Sequence, residues 1–306
     1  MDDDAQPIGR SHRRRVAGSL ERMPTVDLAD VTIAYDVYEP GPRRSDAETI
    51  VLICGCGAPA AGWFGIVPTL TASGFRVVTF DNRGVAPSSS PPAPYAVADL
   101  VTDTVGLCDH LSLPTAVFVG HSMGGWVAET IAIQQPERVR AAAFLGSCNV
   151  ATAWEKAITT VERDVARLGY DLPPLFFATE TLRYLTNGEL QRDEIVDGWL
   201  NLIGDMPAWP NPGRLGQFEA CLAWSLDTRR TQAWSSIRVP CLVMAFEHDI
   251  DSPPQRAREA AAVIPGACYA EIPDASHLAP FTHSAAVVDA LLDFLASTPR
   301  PTRPET

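Results

Sequence analysis

Lysine is almost absent from this chain of 306 residues, since Lys156 is the only one. A phosphate-binding loop ending in Gly-Lys-Ser or Gly-Lys-Thr is therefore excluded. Positive charge is scarce overall, because the chain has 24 lysines and arginines but 37 aspartates and glutamates, which gives a net charge of −13. Such a chain is repelled by phosphate backbones and by anionic lipid surfaces, so we expect no nucleic-acid partner.

Long hydrophobic runs are also lacking. No segment approaches the roughly 20 apolar residues of a membrane-spanning helix, so we expect no membrane insertion. The arginines at 13–15 have no apolar stretch behind them, which argues against a signal peptide. The seven cysteines are an odd number, scattered mostly through apolar runs, which favours free thiols over a disulfide framework. These features predict a cytoplasmic protein.

Short β-branched runs alternate with longer stretches of helical periodicity, which predicts an α/β fold with a mostly parallel, doubly wound, eight-stranded sheet. We expect tails at 1–24 and 297–306, both disordered, around a core of residues 25–148 and 238–296. The predicted strands are Thr25–Leu28, Val31–Tyr38, Thr49–Ile53, Arg76–Phe80, Ala116–Val119, Val139–Leu145, Cys241–Phe246 and Cys268–Ile272, with the first two antiparallel. The predicted core helices are Trp63–Ser73, Val97–Leu111, Met123–Gln134, Pro254–Val263 and Ala285–Ala296.

Residues 149–237, which we call the cap, break this alternation with a helical pattern and hold five of the seven tryptophans. Cap helices are expected to begin near Thr152, Thr179, Asp193 and Asn211, with proline-rich breakers at 172–174 and 206–212. Clustered tryptophans are typical of packing. An apolar helical layer over the carboxyl ends of parallel strands can also form a substrate chamber. The tryptophans of the cap could therefore serve packing or substrate binding, and both interpretations stay open.

The sharpest motif is Gly120-His-Ser122-Met-Gly124, which follows a hydrophobic strand and opens a helix. A tight, strained turn at Ser122 requires glycine two residues before and after it, at Gly120 and Gly124. Ser122 is then exposed at a helix N-terminus, where the amide of Met123 points at a developing oxyanion. The pattern predicts a catalytic serine nucleophile.

A serine nucleophile requires a base, and His277 is the best placed of six histidines because its loop follows the last strand. A carboxylate must then orient the imidazole. Asp249 follows a buried strand and is our first choice, with Asp251 as the alternative. The order serine, aspartate, histidine is that of the α/β-hydrolases.

From Thr25 to Ala296 the chain resembles the α/β-hydrolase superfamily, through the turn Gly120-His-Ser122-Met-Gly124, which in that family is called the nucleophile elbow, the turn Asp81-Asn-Arg-Gly84 and the pair Ser276-His277. The resemblance implies Ser122 as nucleophile, Asp249 as acid and His277 as base. It also implies that the backbone amide of Cys56 is the second oxyanion donor. The chain departs from the family pattern at two positions, with Cys54 in place of the usual histidine and Phe246 in place of the usual glycine.

Two smaller motifs have alternative interpretations. Cys54-Gly-Cys56 could hold a metal or act in redox chemistry, although two ligands without a second pair nearby make a weak zinc site. Asp81 and Arg83 lie in one turn and could form a charged binding site. Such a pair is more typical of residues that brace a loop beneath an active site, and we favour that interpretation. We expect neither a metal nor a cofactor.

The sequence thus predicts a cofactor-independent serine hydrolase acting on an ester or related acyl compound with an apolar portion. Elimination, carbon–carbon cleavage and cofactor-free oxidation remain alternatives in this fold, as does a non-catalytic protein that binds a small ligand. A homodimer is left open. Arginine-rich, lysine-poor usage suits a bacterium with GC-rich DNA, where such enzymes act in secondary metabolism.

Overall fold

A computed structural model describes residues 23–41, 47–170, 172–204 and 209–298. Most residues of the two predicted tails lie outside these ranges, as do Met206, Pro207 and Ala208 of the second proline-rich breaker. The last helix continues to Ser297, one residue into the predicted C-terminal tail.

The described chain contains an eight-stranded sheet with the order β1-β2-β4-β3-β5-β6-β7-β8. The β1–β2 and β2–β4 pairs are antiparallel and every other pair is parallel. This confirms the predicted fold class. The strands are β1 (Thr25–Asp27), β2 (Thr32–Tyr38), β3 (Thr49–Ile53), β4 (Arg76–Phe80), β5 (Ala116–His121), β6 (Val139–Leu145), β7 (Cys241–Phe246) and β8 (Cys268–Ile272).

Helices cover both faces of the sheet and fill the cap. Those of the core are α1 (Val67–Ala72), α2 (Val97–His110), α3 (Met123–Gln134), α9 (Pro254–Val263), α10 (Ala279–Thr282) and α11 (Ser284–Ser297). Those of the cap are α4 (Ala153–Arg167), α5 (Pro174–Leu182), α6 (Asn187–Leu190), α7 (Asp193–Gly204) and α8 (Asn211–Leu226). None of the helices in the described ranges is both long and apolar enough to cross a membrane.

The central strands are buried on both sides because their side chains alternate between two cores. In β3, Val51 and Ile53 pack with residues of α2, α3 and α9, whereas Ile50 and Leu52 pack with residues of α1 and α11. This period of two follows from the pleat of a strand. It explains why continuous apolar runs form the middle of a parallel sheet.

Two helix predictions are wrong, and proline explains both. The predicted helix Trp63–Ser73 is a 3-10 turn at Ala60–Gly65 followed by the short α1. Pro68 lacks an amide hydrogen, so it fits in the first turn of α1 but not inside a longer helix. The cap helix expected to begin near Thr179 instead begins at Pro174, because proline is favourable at the first helical position.

The cap has its own small core over the carboxyl edge of the sheet. Ala178, Leu185, Trp199 and Ile203 cluster there with Leu278, which is the neighbour of His277 in the loop after β8. This contact joins the cap to a predicted catalytic loop. All seven cysteines are free thiols, and five of them are buried.

Candidate active site

Ser122 lies at the sharp turn between β5 and α3. Its backbone has φ 53° and ψ −125°, a left-handed conformation that is costly for a residue with a side chain. A Cβ atom on Gly120 would lie 2.0 Å from the Gly124 carbonyl oxygen, and one on Gly124 would lie 2.1 Å from the Ile53 carbonyl oxygen. Both positions therefore require glycine. The turn holds the half-buried Ser122 at the start of the 12-residue α3.

Asp249 and His277 are hydrogen-bonded to each other, with 2.8 Å between Oδ2 and Nδ1. Asp249 lies in the loop after β7, and its Oδ1 accepts the amides of Asp251 and Ser252, both at 2.9 Å. The Asp249 side chain is completely buried. These bonds fix the carboxylate so that its second oxygen orients the imidazole.

Asp251, the alternative acid, occupies a different position. Its Oδ1 accepts the indole N–H of Trp154 at 3.0 Å, and its side chain lines the same cavity as Ser122. The structure thus brings Asp249 into contact with His277 and leaves Asp251 on the cavity wall.

The electrostatic surroundings of His277 favour its charged form. Burial opposes that form, but the charge and the hydrogen bond of Asp249 outweigh burial, and the pKa of His277 is raised to about 9. Asp251 and Glu155 contribute further to this rise. The neutral imidazole, which is the form that can accept a proton, therefore becomes abundant only in alkaline solution.

His121 anchors the loop that carries His277, a role that the sequence did not reveal. Its Nε2 donates to the backbone carbonyl of His277 at 2.8 Å, and its side chain is buried. Burial, followed by the positive charge of His277, lowers the pKa of His121 to about 3. A neutral His121 thus holds the backbone of the predicted base. The only sequence signal was its place beside Ser122.

The loop that follows β3 is braced from two sides. Asn82 donates to the carbonyl of Cys54 at 3.0 Å, and the amide of Gly57 donates to Gln217 of α8 at 2.7 Å. Gln217 in turn donates to the carbonyl of Arg83 at 2.8 Å. These bonds support the loop where the related family has a histidine in place of Cys54.

The amides of Cys56 and Met123 were predicted as oxyanion donors. Neither is hydrogen-bonded to an acceptor in the described part of the chain. Cys56 lines the cavity with Ser122, and Met123 begins α3. A hydrogen bond with Cys221, followed by burial, raises the pKa of the Cys56 thiol, which disfavours the thiolate form that acts as a nucleophile.

The turn Asp81-Asn-Arg-Gly84 supports the site from below. Asp81 accepts the amide of Ala60 at 2.7 Å, and Arg83 forms an ion pair with the buried Asp103 at 2.6 Å. Both charged side chains are thus engaged in contacts within the chain. This matches the interpretation of the turn as a brace.

A cavity of about 270 Å³ lies between the carboxyl edge of the sheet and the cap, and Ser122 and His277 both line it. Within the described residues these two side chains share no hydrogen bond, which is common before substrate binds. Two cap tryptophans, Trp199 and Trp209, line the cavity, whereas Trp224 stacks on Trp126 with ring centroids 6.1 Å apart. The tryptophan-rich cap therefore serves both packing and the cavity wall. The remaining large apolar residues of the wall are Trp126, Ile158, Phe177, Tyr184, Ile203, Phe218, Leu278 and Phe281.

Comparisons with known proteins identify the family and the fold of the chain. Residues 48–284 match the family model for the α/β hydrolase fold. A Mycobacterium tuberculosis H37Rv protein that carries the name non-heme bromoperoxidase BpoC is 30% identical, and the match covers 87% of this chain and 98% of that protein. A Variovorax paradoxus S110 protein that carries the name carbamate hydrolase RutD is 25% identical over 87% of this chain and 97% of its own length. The crystal structure of the enol-lactonase from Burkholderia xenovorans LB400 superposes with a TM-score of 0.78 at 28% identity, covering 90% of this chain and 100% of that one.

Proposed function

The chain belongs to the α/β hydrolase fold family, and on this premise we propose that it is a serine hydrolase that cleaves an ester or related acyl bond through an acyl-enzyme. The observation that carries the proposal is the strained Ser122 in one cavity with His277, which is itself oriented by the buried Asp249. Nucleophile, base and orienting acid are the three groups that such chemistry needs.

In the proposed reaction, the Ser122 hydroxyl attacks the substrate carbonyl and passes its proton to Nε2 of His277. The carbonyl oxygen becomes an oxyanion, which the free amides of Cys56 and Met123 stabilise. The imidazolium then gives its proton to the leaving alcohol as the carbon–oxygen bond breaks. Water, activated by the same histidine, releases the acid and regenerates Ser122.

The wall of the cavity supports a substrate with an apolar portion. Aromatic rings of Trp126, Trp199, Trp209 and Phe218 surround a small volume of about 270 Å³. Ligand sites of this kind gain affinity by burying apolar surface and orient the ligand with a few polar groups. The size favours a small ester over a long-chain lipid.

Labelling by an organophosphonate tests the proposal. The reagent should add covalently to Ser122, which peptide mapping by mass spectrometry can locate, and Ser122→Ala should not react. Ser147→Ala is the matched control, because it removes another buried hydroxyl close to α3 and should still be labelled. A folded parent chain that stays unlabelled would favour the non-catalytic, ligand-binding alternative.

Cofactor-free oxidation is a second candidate, favoured by the name of the mycobacterial relative. In that reaction hydrogen peroxide, in place of water, attacks the acyl-enzyme and releases a peracid, which oxidises bromide to hypobromite and becomes the carboxylic acid. The discriminating assay measures bromination of an organic substrate in the presence of bromide. For this candidate, bromination should require hydrogen peroxide, a carboxylic acid and Ser122. Bromination above the rate of ester hydrolysis would favour this candidate.

A further inference from the structure

One wall of the Ser122 cavity is acidic. Helix α4 turns four residues toward the cavity at the spacing i, i+3, i+4 and i+7, and two of these are Glu155 and Glu162. Asp251 joins them from the loop after β7. We call Glu155, Glu162 and Asp251 the acidic wall. In the described part of the cavity lining, four carboxylates, including Glu180, face a single arginine, Arg183.

The one arginine is already engaged. Arg183 forms ion pairs with both Glu162 and Glu180. Glu155 accepts hydrogen bonds from Asn149 at 3.2 Å and from Ser225 at 3.0 Å, which are neutral donors. Glu155 therefore forms no ion pair within the described residues, and the positive charge of Arg230 acts on it only from a distance.

Asp251 is in the same situation. Within the described residues its side-chain hydrogen-bond partners are the indole of Trp154 and the hydroxyl of Tyr184, both neutral, and the positive charges of His277 and Arg183 only partly offset the effect of burial on its pKa. In the described residues, neither Asp251 nor Glu155 forms an ion pair with an arginine or lysine. Removing a carboxylate from water without a direct ion pair is costly, and burial accordingly raises the pKa of both groups. A cation delivered to the cavity would relieve this cost.

Ser252 provides an independent indication of a ligand at this wall. Ser252 lines the cavity directly after Asp251, it is only 2% exposed, and its hydroxyl has no hydrogen-bond partner among the described residues. A buried polar atom without a partner is rare, because it loses the bond that it made with water. A ligand N–H group bound beside Asp251 would supply the kind of donor that this oxygen lacks.

The geometry points to a substrate that carries a protonated amine, with the ammonium group bound by Asp251 and Glu155 and hydrogen-bonded to Ser252 while Ser122 attacks the ester. This inference rests on the proposed serine hydrolase function and names its substrate class. The aromatic side chain of Trp199, which lines the same cavity, adds favourable surroundings for a cation. By the same reasoning, the acidic wall repels substrates that carry a carboxylate.

Matched esters test this specificity. Ethyl 6-aminohexanoate carries the ammonium group, ethyl heptanoate replaces it with a methyl group of similar size, and monoethyl pimelate replaces it with a carboxylate. A second set, 6-aminohexyl acetate, heptyl acetate and 7-acetoxyheptanoate, places the same groups on the alcohol side. In at least one set we expect kcat/KM to be roughly tenfold or more higher for the ammonium ester than for its methyl counterpart, and lowest for the carboxylate.

Substitutions in the wall should reduce the ratio of kcat/KM for the ammonium ester to that for the methyl ester. Asp251→Asn and Glu155→Gln should each lower this ratio roughly tenfold, since they remove the charge but keep the shape. Ser252→Ala should lower the ratio by a smaller factor. This conservative variant keeps the inference testable if Asp251→Asn and Glu155→Gln fail to fold. Asp164→Asn is the matched control, because it removes one negative charge from the exposed side of α4 and should leave the ratio unchanged.

The outcomes separate the inference from the function on which it rests. Turnover that depends on Ser122 but is equal or faster for the methyl esters overturns the inference and leaves the proposed function intact. If no ester is hydrolysed and Ser122 is not labelled, the proposed function fails. Titration calorimetry of hexylammonium with Ser122→Ala then tests the cation site independently of catalysis. Saturable binding that is weakened by the additional substitution Asp251→Asn supports the inference, and absence of binding overturns it.

Discussion

Replacing Asp249 by asparagine should abolish most activity by trapping His277 in the wrong tautomer. The structure determines how the introduced amide must lie. Oδ1 of Asp249 accepts two backbone amides at 2.9 Å, so the oxygen of the new side chain stays on that side. Its NH₂ group then faces Nδ1 of His277, where the carboxylate oxygen lies 2.8 Å away in the parent chain.

An NH₂ donor at that place requires an unprotonated Nδ1, so the proton of the neutral imidazole moves to Nε2. Nε2 is the atom that must accept the proton of Ser122. The same change in another serine hydrolase lowers kcat about 10⁴-fold, and we expect a loss of roughly 10³- to 10⁴-fold in kcat/KM here. Steady-state hydrolysis of an activated ester measures this loss, with thermal unfolding as the control for folding.

Asp251→Asn is the comparison for this prediction. Asp251 is not hydrogen-bonded to His277 in the described structure, so hydrolysis of the neutral methyl esters should fall by much less than in Asp249→Asn. The reasoning is refuted if Asp249→Asn keeps parental activity while folded, or if Asp251→Asn has the larger loss. The latter result would make Asp251 the orienting acid.

Four further predictions concern the base, the turn at Ser122, the loop after β3 and the cap. Because the pKa of His277 is raised to about 9, kcat/KM should rise with pH up to about that value, and the stability that this group contributes should be complete below its ordinary pKa of about 6.5 and lost as pH rises through 9. An acid limb near pH 6.5 would contradict this. Gly124→Ala should destabilise the fold by about 1–3 kcal/mol and abolish organophosphonate labelling, because the added Cβ would lie 2.1 Å from a backbone oxygen; a variant with parental melting and labelling would contradict it. Cys56→Ala should keep most activity, because the proposed donor is the backbone amide, and a folded but inactive variant would revive the thiol interpretation. Hydrogen exchange should be faster in the cap than in the sheet and slower after labelling, and uniform protection would argue against a gating cap.

The sheet could be predicted largely from local pattern. Buried runs such as Thr49–Ile53 have a short length, β-branched residues and turn residues on both sides, and these features depend only on neighbours in the chain. The apolar spacing of Trp63–Ser73 predicts one helix, but Pro68 cannot lie inside a long helix, and the segment is divided before it. Pro173-Pro174 has the pattern of a helix breaker, yet Pro174 begins α5, because proline is also favourable at the first helical position.

Only those site residues could be predicted whose residue type and position after a strand point to their role. Ser122, Asp249 and His277 each follow a strand, and parallel strands bring their carboxyl ends to one edge of the sheet. The bond from His121 to the backbone of His277 joins residues 156 positions apart, and the bond from Gly57 to Gln217 joins residues 160 positions apart. Neither leaves a local signal. The unpaired acids of the cavity wall likewise emerge only when cap and core pack together.

The most direct test of the central claim is to detect the acyl-enzyme. The parent protein is mixed rapidly with an activated ester, quenched in acid and weighed by mass spectrometry, with Ser122→Ala treated in parallel. The account predicts a transient mass increase of one acyl group, located on the peptide that contains Ser122 and missing from the variant. Ester hydrolysis that proceeds in Ser122→Ala at the parental rate, or an acyl group located on another residue, would contradict it.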